Sequence, residues 1–62
     1  MTTKELLIMQ SIAEYKKYKE LELGKAKQEL KRGDLEMSSY HQGKADGLEL
    51  AILRLTHINN LQ

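Results

Sequence analysis

Leu30-Lys31-Arg32-Gly33-Asp34-Leu35-Glu36 interrupts a sequence that otherwise favours helix almost without a break. Lys31 and Arg32 put positive charge where the carbonyl end of a helix dipole is negative. Gly33 follows at the position where a helix ends in a left-handed residue, a conformation that costs other side chains more. Asp34, Glu36, Ser38 and Ser39 are all able to cap a helix that begins afterwards. So short a connection makes the two helices antiparallel neighbours. The chain folds at Gly33–Leu35, and residues whose numbers sum to about 68 come side by side.

Working outward, Thr2-x-x-Glu5 has the spacing of a capping box and starts the first helix. An apolar stripe then runs through Ile8, Ile12, Tyr15, Lys19, Leu23, Ala26 and Leu30 at close to an eleven-residue period. Lys19 fits the stripe by its aliphatic stem. The second helix carries Met37, Tyr40, Lys44, Leu48, Ala51, Leu55 and Ile58 at a similar period. The expectation is an all-α, two-helix antiparallel hairpin, with helices at about 3–32 and 37–60, forming a single domain over 1–62. At 1.5 Å per residue the helices should measure roughly 43 and 33 Å.

Composition agrees. Of the 62 residues, 39 are Ala, Leu, Glu, Lys, Gln, Arg or Met, while Val, Phe, Trp and Pro are absent, which leaves little from which to build a sheet. A chain this short buries only about 60% of the surface its unfolded form exposes, so small domains usually need a staple. With no cysteine there is no disulfide, and no Cys/His cluster offers a structural zinc. Oligomerisation is the remaining remedy. Net charge is +1, which gives no global attraction to nucleic acid or anionic membrane. The longest apolar run, Leu6-Leu7-Ile8-Met9, is far short of a membrane span or a signal-peptide core. Beginning at Met1, the sequence reads as a complete small open reading frame, and a cytoplasmic location is expected.

The two ends of the hairpin differ. At the open end Leu6, Leu7, Ile8, Met9, Ile12 and Ala13 meet Leu50, Ala51, Ile52, Leu53, Leu55, Ile58 and Leu61, so both helices are apolar nearly all round. One helix–helix contact uses a single stripe on each. The surplus predicts a homo-oligomer, most simply a two-fold dimer forming a four-helix bundle, with Leu6, Met9, Ile12, Leu50, Leu53, Ile58 and Leu61 at the interface. At the turn end, Lys16–Arg32 holds seven basic residues against three acidic ones. Tyr18, Lys25, Arg32 and Tyr40 form the surface expected to meet a partner protein, since tyrosine beside cations is a hot-spot composition. The same tract permits nucleic-acid contact, with lysines on phosphates and a tyrosine for stacking. Pairs such as Lys16–Glu20 and Lys25–Glu29, together with only two arginines, argue instead for a solvated helix face.

Gly24, Gly43 and Gly47 each cost a helix interior about 0.5–1 kcal/mol relative to Ala. Close helix packing near mid-hairpin is the expected reason, a kink at Gly24 or Gly43 the alternative. His41 and His57 lack partners at ligand spacing, so neither a metal nor a cofactor is expected. Asp46 and Glu49 lie a turn apart, but two slim helices provide no concavity to perturb them into an acid–base pair, and no enzyme activity is expected. Arg32-Gly33-Asp34 spells an integrin-binding tripeptide, yet helix-stop and capping chemistry already account for it. Gly43-x-x-x-Gly47 encloses Lys44 and Asp46, which excludes a bilayer reading.

The segment Leu30–Leu48, from Leu-Lys-Arg-Gly-Asp through Tyr-His-Gln-Gly-Lys-Ala-Asp-Gly-Leu, resembles the turn and second-helix opening of short uncharacterised helical-hairpin proteins. Those are encoded by phages and mobile elements of Gram-positive bacteria. The resemblance covers about a third of the chain. It implies a small intracellular accessory protein, a regulator or inhibitor of a host enzyme or defence system. It carries over no functional residue.

Overall fold

The computed structural model describes residues 1–61 and consists of two helices, α1 (Thr3–Lys31) and α2 (Leu35–Asn60), packed against each other as a hairpin, with no strand among the described residues. The molecule is a slim rod, 47 × 14 × 9 Å.

Local chemistry sets each end. Thr2 is the N-cap of α1, its Oγ1 accepting from the Glu5 amide at 3.1 Å. At the other end Gly33 takes φ +83°, and its amide donates to the Leu30 carbonyl at 3.1 Å. The Asp34 amide reaches back to the Glu29 carbonyl at 2.9 Å. These two bonds are the Schellman pattern, which satisfies carbonyls that a helix end leaves without partners. Asp34 then turns to the next helix, accepting at Oδ1 from the Met37 amide at 3.0 Å. Because the cap is Asp34, α2 begins at Leu35 rather than at 37, and three residues make the whole connection.

The seam between the helices has a seven-residue period. On α1 the inward residues are Ile8, Ile12, Tyr15, Lys19, Glu22, Ala26 and Glu29, and on α2 they are Ser38, His41, Ala45, Leu48, Ile52, Leu55 and Asn59. That corrects the eleven-residue stripes. On α1 the difference is slight, with Glu22 and Glu29 more covered than Leu23 and Leu30. On α2 the face is rotated by one residue, so Met37, Tyr40 and Ile58 lie outside and Ser38, His41 and Asn59 lie inside. A seven-residue seam goes with left-handed winding of the two helices. Among the described residues the buried hydrophobic ones are only Ala26, Ala45 and Ile52. The two alanines let the helices come close near the turn, and Ser38 Oγ donates across the gap to the Ala26 carbonyl at 2.9 Å.

Candidate interaction surface

At the centre of the seam is a carboxylate. Glu22 is 8% exposed, the one charged residue among the described residues that are buried. His41 Nδ1 lies 2.6 Å from Glu22 Oε2, and Lys44 Nζ lies 3.2 Å from Oε1. Lys25 Nζ approaches the same Oε1 at 3.7 Å. An ionised carboxylate only accepts, so His41 Nδ1 must carry the hydrogen and donate it. The His41 bond foremost, then Lys44 and Lys25, hold the Glu22 carboxyl below its ordinary value of 4.5 against the opposing effect of burial. Lys44 is raised above 10.5 by its bond to Glu22. Its ammonium also sits 5.2 Å from the Tyr40 ring centre, within cation–π range, while Tyr40 meets His41 edge to face at 5.2 Å. Further along, Lys19 Nζ bonds Glu49 Oε2 at 2.7 Å, which raises the lysine in the same way.

The contacts that join the helices are therefore largely polar in the turn half. Every buried side-chain polar atom among the described residues has a partner, which makes the cluster a set of satisfied cross-links. Pairing sums run from 63 at Glu22–His41 to 68 at Lys19–Glu49. The register therefore meets the expected sum of 68 only at Lys19–Glu49 and falls short of it towards the turn, where Glu22 faces Lys44.

The expected interface residues are at the open end, and most are uncovered. Leu6, Met9, Leu50, Leu53, Ile58 and Leu61 are 44–73% exposed, and Leu7 joins them, whereas Ile12 is half-buried in the seam. Leu53, Arg54, His57 and Ile58 line a shallow depression of about 320 Å³. Of the surface expected to meet a partner, Lys25 and Tyr40 come together around Glu22 and Lys44, and Tyr18 lies two turns before Lys25 on its side of α1. Arg32 stands apart on Glu29 at 3.2 Å, 75% exposed.

The glycines need a correction. A Cβ built at Gly24, Gly43 or Gly47 meets nothing within 4 Å, so none of them lies where α1 and α2 approach closely. Both helices run unbroken through all three. Close packing inside the hairpin falls to Ala26 and Ala45 instead. No group of three or more metal-ligating side chains occurs among the described residues, and no helix there is long and apolar enough to cross a membrane.

No family model matches this chain, and neither a curated protein nor a solved structure is detectably similar to it.

Proposed function

We propose that this chain is a small homo-oligomeric interaction module of the cytoplasm that acts by occupying a site on another protein, as a regulator or inhibitor with no chemistry of its own. What supports the reading above all is the exposed apolar open end: Leu6, Leu7, Met9, Leu50, Leu53, Ile58 and Leu61 remain 44–73% exposed beside a core of three buried hydrophobic residues. A hairpin with so thin a core gains more from a second copy than from any internal rearrangement. The likeness to phage and mobile-element hairpins suggests a host enzyme or defence system as the client. No metal or cofactor enters this reading.

Nucleic-acid binding through Lys16–Arg32 has less support. Lys19, Lys25 and Arg32 are already engaged by Glu49, Glu22 and Glu29, which reduces the positive charge left for phosphates. The test is affinity capture from host lysate with and without nuclease, beside sedimentation equilibrium of the purified chain. The proposal expects a multiple of the 7.2 kDa chain mass and one stoichiometric protein that survives nuclease. Captured material that vanishes with nuclease would transfer the function to the lysine tract.

A further inference from the structure

The exposed apolar residues are not spread evenly, and this decides which side a second copy covers. Lys25 of α1 and Lys44 of α2 reach the same Glu22 oxygen, so they mark one flank of the hairpin. By helical spacing Leu7, Tyr18 and Leu21 share the side of Lys25, and Met37, Tyr40 and Ile58 share the side of Lys44. Each of these six is 40–57% exposed, and together they run the full length of the rod. The opposite flank is apolar only towards its two ends, at Leu6, Met9 and Leu53 and, beside the turn, at Leu30 and Leu35. Between these ends it presents exposed Lys16, Glu20, Lys27, Gln42 and Asp46, a stretch suited to water.

The exposed area suits a second copy. A compact monomer of 7.2 kDa exposes about 4,100 Å², whereas the hairpin exposes 4864 Å². The surplus of roughly 700 Å² is close to the ~800 Å² that each partner contributes to a stable interface of standard size. Charge sets the orientation. The turn half of this flank carries three cations, Lys25, Lys44 and Arg32, while the open half sets the flank's one acid, Glu14, beside Lys4 and Arg54. Copies laid in the same direction would stack the three cations on their counterparts, while opposed copies set them against the less charged half that holds Glu14.

We propose that a second copy of this chain covers the flank of Leu7, Tyr18, Leu21, Met37, Tyr40 and Ile58, the two hairpins lying antiparallel about a two-fold axis near Gly47. Gly47 lies on this flank at the middle of α2, with open space where a Cβ would stand. The proposal rests on the oligomer reading and moves its interface from the whole open end to one flank. Tyr18 and Tyr40 serve the self-interface, and Leu6, Met9 and Leu53 are left for a client.

The chain has no cysteine, so single introduced thiols report cleanly. Gly47→Cys should oxidise readily to a disulfide-linked dimer, and Asp46→Cys, its neighbour on the opposite flank, should not. In sedimentation equilibrium Leu21→Glu should reduce the two-chain mass to one, while Leu53→Glu keeps it, with helicity by circular dichroism retained in both. Cross-linking at residue 46 but not 47, or a mass lost only in Leu53→Glu, would overturn the flank while leaving the oligomer. A native chain that stays single at every concentration reached would overturn both.

Discussion

Gly33 and Asp34 each carry two duties within one turn. Gly33 closes α1 with φ +83°, and Asp34 donates its amide backwards while its carboxylate caps α2. Gly33→Ala forces a Cβ into the left-handed region and should lower stability by about 1–2 kcal/mol in a thermal or urea melt. Gly24 has the opposite standing. It lies inside α1 with nothing within 4 Å of a built Cβ, so Gly24→Ala should raise stability by about 0.5–1 kcal/mol in the same measurement. Glu22 links stability to pH. Its folded value is depressed, so its contribution is fully present above the unfolded value of 4.5 and is lost as pH falls through the lower folded value. Lys19 and Lys44 are raised, and their contributions are lost only as pH rises beyond 10.5. The melting temperature of the native chain should therefore fall in acid below that point, and Glu22→Gln should flatten the fall. An acid limb of equal steepness in both proteins would show that the cluster contributes nothing to it.

Between the helices, the seam explains what could be read from the chain and what could not. The turn was legible because Lys31-Arg32-Gly33-Asp34 encodes its own geometry through dipole, left-handed residue and cap, all local effects. The open end was legible because seven apolar residues exceed what a single contact can bury. The Glu22–His41 pair was not. Reading the seam by apolar content favoured Leu23 over Glu22 and Tyr40 over His41, since a charged residue and a histidine score as outward-facing. Only the pairing across helices covers them, and the signal that finds it is the strict seven-residue spacing of Ile8, Tyr15, Glu22 and Glu29 with His41, Leu48 and Leu55. The glycines misled for a related reason: their cost is local and visible, but the open space beside each follows from how the two helices pair. Within the seam Ile52 is the one large buried hydrophobic side chain, 6% exposed. Ile52→Ala should cost about 2–3 kcal/mol. A domain of this length has only roughly 3–9 kcal/mol in total, so the variant should lose most of its helical signal at moderate temperature.

At the scale of the whole molecule, shape and stability are linked. The radius of gyration is 14.3 Å, against about 10–11 Å for a compact domain of this length. A rod with three buried hydrophobic residues and a largely polar turn half draws little stability from within, so association should supply much of it. Association that favours only the folded state makes melting depend on protein concentration by mass action. The melting temperature of the native chain, followed by circular dichroism, should therefore rise steadily as concentration is raised. Ile58→Glu places a charge on an exposed residue outside the seam, where it leaves the packing of α1 on α2 in place. That variant should melt lower and at one temperature whatever its concentration. A native chain with a concentration-independent melt and the mass of one hairpin would mean that the seam suffices, with Lys19, Glu22, His41 and Lys44 as its main staples.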